Sequence, residues 1–78
     1  LPLSGTEFVI TGRLESFGRQ EAAEKIKALG GTARDNVTRN TRYLVVGEDP
    51  GAGKLKQADK LKTERIDETA FLGKIGEG

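Results

Sequence analysis

The glycine-rich run Gly47-Glu48-Asp49-Pro50-Gly51-Ala52-Gly53 lies between an apolar segment, Tyr43-Leu44-Val45-Val46, and Lys54, after which apolar residues recur at helical spacing. Strand, glycine loop, lysine and helix are the setting of a phosphate loop, in which backbone N–H groups cradle phosphates and the lysine reaches over them. The spacing departs from that motif. One residue too many separates Gly47 from Gly53-Lys54, and Leu55 stands where a Ser or Thr hydroxyl would have to hold Mg²⁺. Gly51-Ala52-Gly53 also lacks the third glycine of a dinucleotide fingerprint. Neither nucleotide hydrolysis nor dinucleotide binding is expected from this loop.

A second arrangement rests on electrostatics rather than on a motif. Arg19 and Lys54 both fall in the first turn of a predicted helix, where the macrodipole and the unpaired N–H groups favour negative charge. A cation there costs on the order of 0.3 to 1 kcal/mol unless an anion sits between it and the helix end. In an open parallel sheet, strand C-termini and helix N-termini share one edge. Thr11 and Gly12, at the end of the first predicted strand, can therefore converge with Arg19 and Lys54. A hydroxyl, a backbone N–H, a guanidinium and an ammonium together make a donor set for one phosphate. Spacing alone leaves open the plainer alternative, two surface cations that point into water.

The carboxylates offer no acid–base pair. Asp67 reads as a helix cap and Glu21 as first-turn helix charge, while Glu7, Glu15, Glu24, Glu48, Asp49, Glu64 and Glu68 read as solvated surface. The chain contains no Cys and no His. That removes thiol nucleophiles, Ser-His triads and Cys/His zinc sites, so no catalytic residue and no metal site is expected.

Positioning these residues falls to alternating strands and helices. Glu7-Phe8-Val9-Ile10-Thr11 is β-branched and aromatic on both faces and stops at Gly12, the pattern of a central parallel strand covered on two sides. Ala22, Ala23, Ile26 and Leu29 recur at helical spacing over 19–29, with Gly30-Gly31 as the stop. A short weak strand over 32–34 precedes 42–46, which repeats the first strand's pattern and ends at Gly47. Residues 47–53 form a loop by composition, 54–61 a short helix with Leu55, Ala58 and Leu61 on one side, and 65–66 an edge strand. Asp67 caps a last helix that buries Phe71, Leu72 and Ile75 and is weakened by Gly73. The order β-α-β-β-α-β-α predicts an α/β fold with a parallel sheet covered on both faces. Its expected core is Phe8, Ile10, Ala22, Ile26, Leu29, Leu44, Val46, Leu55, Leu61 and Phe71.

The 78 residues suffice for one domain, expected over 1–78 with its folded part at about 3–76. No apolar stretch reaches the roughly 18 residues that read as a membrane span. The absence of Met makes the chain read as a segment of a longer protein. Lys and Arg number 13 against 12 Asp and Glu, a formal net charge of +1. That is too little for a general basic footprint, so any anion site must be local.

Phe8-Val9-Ile10-Thr11-Gly12, Leu14-Glu15-Ser16, Arg19, Glu21-Ala22, Leu29-Gly30-Gly31, Thr41 with Tyr43-Leu44-Val45, and Gly47-Glu48-Asp49 together resemble a BRCT domain, over Leu3 to about Ile75. Within that family the chain is most similar to the C-terminal BRCT domain of bacterial NAD-dependent DNA ligases, with the BRCT domain of the replication factor C large subunit a near second. Lys54-Leu55 looks like the ligases, which usually run Gly-Ser-Lys-Leu, whereas the loop before it, one residue longer, looks like replication factor C. Phe71, where many members carry Trp, mildly favours the ligases. The resemblance implies a four-stranded parallel sheet in the order 2-1-3-4, with two helices on one face and one on the other. It also implies a phosphate pocket of Thr11, Gly12 and Lys54, joined by Arg19 as in replication factor C. These are the four residues that the helix-dipole argument selects.

The expected function is a non-catalytic module of a DNA ligase that binds nicks or 5′-phosphorylated DNA ends, with Arg13, Arg39 and Lys56 touching the backbone nearby. No cofactor is implied for this domain. A ligase parent would use NAD, Mg and a structural Zn elsewhere and act in cytoplasmic replication and repair, whereas a replication factor C parent would be nuclear. Other domains of the parent are the further partners implied, and a membrane is not. The competing reading is a protein-docking module in which the four residues are incidental. A phosphopeptide reader fits less well, since in this family that usually takes two such domains in tandem.

Overall fold

A computed structural model describes residues 1–76 of the chain. Strands β1 (Glu7–Thr11), β2 (Thr32–Arg34), β3 (Tyr43–Val46) and β4 (Glu64–Asp67) alternate with helices α1 (Arg19–Ala28), α2 (Ala52–Leu61) and α3 (Glu68–Lys74) in the expected order. The strands form one parallel sheet in the order β2-β1-β3-β4. The two strands that read as apolar on both faces, β1 and β3, are the central pair. The edges are polar: β2 exposes Thr32 and Arg34, and β4 buries only Ile66.

Strand alternation sends the apolar side chains of β1 into two separate layers. Phe8 and Ile10, with Val45 and Ile66, meet Ala22 and Ile26 of α1 and Phe71 of α3, and Ile75 closes the same cluster. Val9 and Leu44 point to the other face, where Ala58 of α2 and Val37 cover them. Two helices thus lie on one face and one on the other. Aromatic edges lock the larger layer, Phe71 meeting Phe8 at 5.9 Å and Phe17 at 6.4 Å between ring centroids.

The core differs in part from the expected set. Leu29, Val46, Leu55 and Leu61 are only half-buried, while Val9, Val45 and Ala58 are fully covered. On the α2 face the reason is the small contact residue of that helix. Ala58 brings this helix close to the sheet and leaves the larger Leu55 and Leu61 at the rim of the contact. Leu3 and Val37 reach the core from segments without secondary structure, where no periodicity could have marked them. Helix α2 also begins earlier than composition indicates: Gly51 is its N-cap and Gly53 lies inside its first turn. Asp67 caps α3 as expected, accepting from the Ala70 N–H at 2.8 Å.

Candidate functional site

At the C-terminal edge of the sheet, the β1–α1 and β3–α2 loops are stitched together by backbone. The Arg13 N–H donates to the Glu48 carbonyl and the Glu48 N–H to the Arg13 carbonyl, both at 2.8 Å, and the Gly47 N–H donates to the Thr11 carbonyl at 2.9 Å. This approach requires two glycines. A Cβ on Gly12, whose φ is +83°, would lie 2.5 Å from the Glu48 carbonyl oxygen, and one on Gly47 would lie 2.3 Å from that of Arg13. Thr11 then fixes the start of α2: its side chain is buried, and Oγ1 accepts from the Gly51 N–H at 2.8 Å.

Both helices that start here begin without a side-chain cap, at Gly18 and Gly51. Helix α1 carries one acid in its first turn, Glu21, and α2 carries none. Apart from the Gly51 N–H, which the Thr11 hydroxyl accepts, their first-turn N–H groups and dipoles therefore face the edge without a capping side chain of their own. Arg19 is the first residue of α1 and Lys54 the third of α2. Neither pairs with a carboxylate among the described residues. Arg13 does, meeting Asp49 at 3.1 Å in a pair with both side chains largely in solvent.

Not all of the expected site residues share one recess. Gly12 and Arg19 line a cavity of about 450 Å³ with Ile10, Leu14 and Phe17, whereas Lys54 lines another of about 410 Å³ with Val37 and Gln57. The division follows from the fold, because α1 and α2 cover opposite faces of the sheet. Thr11-Gly12, at the end of a central strand, is the backbone between them. Lys56 is exposed on α2. Arg39 lies elsewhere: the neighbouring Thr38 and Thr41 hydroxyls donate to Glu7 Oε2 at 3.0 and 2.9 Å. Glu7 opens β1, so Arg39 sits at the end of the strand away from Thr11.

One residue that read as solvated surface has a defined task. The Glu68 carboxylate accepts from the Glu15 N–H at 2.8 Å, the Ser16 N–H at 2.9 Å and the Ser16 hydroxyl at 2.6 Å. These bonds, the Ser16 hydroxyl first and the Glu15 amide next, hold its carboxyl below the usual glutamate range. The loop that leads into α1 is thereby fastened to α3. Partners more than 50 residues apart in the chain leave no local signal by which this clasp could be found.

A profile of the BRCA1 C Terminus (BRCT) domain matches residues 1–72. Among similar proteins, the DNA ligase of Dehalococcoides mccartyi is 53% identical over 75 residues, covering 96% of this chain and 11% of that protein. The DNA ligase of Coprothermobacter proteolyticus is 51% identical over 71 residues, 91% of this chain and 10% of its own length. That of Hydrogenobaculum sp. is 47% identical over 70 residues, with 90% and 10% covered. The chain thus spans about a tenth of the length of the curated relatives it matches. With the profile matched over nearly its whole length and its sheet in the strand order that the resemblance implied, this chain belongs to the BRCT domain family.

Proposed function

We propose that this BRCT domain is the non-catalytic DNA-binding module of an NAD-dependent DNA ligase, and that it holds a nick or a 5′-phosphorylated end at the C-terminal edge of its sheet. The observation that carries this reading is the pair of uncapped helix starts at that edge, each with a cation in its first turn that pairs with no carboxylate among the described residues. A phosphate dianion between the two would satisfy free N–H groups, both dipoles and both cations at once. Arg19 reaches it from one face of the sheet and Lys54 from the other. The Gly12 backbone approaches between them, and the Thr11 hydroxyl, which already accepts from Gly51, has its proton left to donate. The names of the relatives support a ligase as the parent over a clamp loader. Such a domain contributes binding, and bond formation with its NAD, Mg and Zn belongs to the rest of the parent.

The test is an NMR titration of the isotope-labelled domain with a blunt duplex that carries or lacks a 5′ phosphate. Tighter binding of the phosphorylated end is expected, with shifts at Thr11, Gly12, Arg19 and Lys54. Arg19→Ala and Lys54→Ala each remove the preference and leave the melting temperature unchanged or raised, since each relieves a misplaced charge of about 0.3 to 1 kcal/mol. Equal binding of both duplexes would leave protein docking as the better reading, for which the apolar lining of the Gly12 cavity by Ile10, Leu14 and Phe17 offers a seat.

A further inference from the structure

Charge divides along the C-terminal edge of the sheet. On the α3 side, a cavity of about 430 Å³ is lined by Glu15, Glu48, Asp67 and Glu68, with no cation in its wall. On the opposite side, between α1 and β2, a cleft of about 210 Å³ is lined by Arg19, Lys27 and Arg34 against one carboxylate, Asp35, over Ile10 and Ala23. Arg19, Ala23 and Lys27 follow one another at four-residue steps and so form a row on one side of α1. At 1.5 Å per residue the row is about 12 Å long. Arg19 and Lys27 pair with no carboxylate among the described residues. Arg34 makes one long contact, Nε to Glu7 at 3.6 Å, and its side chain is 62% exposed.

We infer that a DNA strand leaving the terminal phosphate site at Arg19 runs over α1 and the β2 edge, with its phosphodiesters on Lys27 and Arg34, and that the acidic wall beside α3 keeps it from the opposite path. The inference rests on the DNA-binding reading above and gives that reading a direction. One strand of a duplex advances about 3.4 Å along the axis per phosphate, so a row about 12 Å long, with a cation at each end, spans more than one of them. A phosphodiester backbone suits this cleft better than a protein segment would, because three cations line so small an opening and the apolar residues in it are Ile10 and two alanines, Ala23 and Ala33. Arg13, Arg39 and Lys56 have no part in this path.

The experiment measures binding of the blunt duplex, with and without its 5′ phosphate, across a salt series for the intact chain and three variants. Lys27→Gln and Arg34→Gln each weaken both duplexes by roughly three- to tenfold and lower the slope of log K against log salt by about 0.9, the release expected for one phosphate contact. The phosphorylated-to-unphosphorylated ratio stays unchanged in both. Lys60→Gln, which removes the same charge from the last turn of α2, has no such effect. Equal losses in all three variants would reduce the path to net charge and overturn it, as would full affinity in Lys27→Gln and Arg34→Gln. A parent chain without phosphate preference whose Lys27→Gln variant binds more weakly would keep the path and overturn the terminal phosphate site. Absence of binding to either duplex would overturn both.

Discussion

Gly12 is where the loop bridge is most exposed to mutation. Its positive φ and the carbonyl 2.5 Å from any Cβ act together, so Gly12→Ala destabilises the domain by at least about 1 to 3 kcal/mol. Gly73 is the opposite case. It lies in α3 with nothing within 4 Å of an added Cβ, and Gly73→Ala stabilises by about 0.5 to 1 kcal/mol through lower backbone entropy in the unfolded chain. Thermal or urea melts of the two variants must fall on opposite sides of the parent chain, and the reverse order would refute the bridge geometry. Phe71, fully buried between Phe8 and Phe17, is the costliest single truncation. Phe71→Ala should lose about 3 to 5 kcal/mol, a large part of what so small a domain has. A melt within a few degrees of the parent chain would contradict that packing. The need for glycine at 12 was legible from a strand that stops on Thr-Gly. Its cause, the Glu48 carbonyl, was not, because it belongs to a loop 36 residues further along the chain.

At the scale of elements, the Glu68 clasp joins three pieces, α3, the β1–α1 loop and hence the start of α1. Its carboxyl has a lowered pKa in the folded state, so the unfolded chain takes up that proton more readily. The stabilisation is therefore complete above the ordinary glutamate range and is lost as the pH falls through the folded pKa. Glu68→Gln should melt below the parent chain at neutral pH, with the gap closing in acid as the pH falls through the folded-state pKa of Glu68. A gap of equal size at neutral and acid pH would mean that the side chain acts by shape alone. The elements themselves were legible in the sequence. β1 and β3 carry β-branched and aromatic residues on both faces and stop at glycine, and α1 ends before Gly30-Gly31. The true start of α2 was hidden because Gly51-Ala52-Gly53 reads as loop, although Thr11 supplies the bond that lets a helix begin there.

For the whole molecule, the two layers beside the sheet are unequal. The layer under α1 and α3 contains Phe8, Phe71 and Ile26, whereas the one under α2 rests on Val9, Val37, Leu44 and Ala58. Helix α2 buries one small residue completely, so it should open at a lower free energy than the central strands. Native-state hydrogen exchange is expected to show α2 amides exchanging through a partial opening while β1 and β3 amides exchange only on global unfolding. Uniform protection across all elements would contradict this. A layer of small residues was harder to read from the sequence than one of large aromatics, since Ala58 gives little sign of the position it holds. The course of the chain has one more consequence. The Leu3 N–H donates to the Leu29 carbonyl at 2.9 Å, beyond the end of α1, and Lys74, in the last turn of α3, lies 4.3 Å over the ring of Tyr43, which opens β3. Both ends of the described chain therefore sit at the pole opposite Thr11 and Gly12. A surface tether or fluorescent label joined at either end suspends the domain from its back and turns the Thr11–Gly12 edge outward, so an immobilised sample needs no long spacer to present that edge.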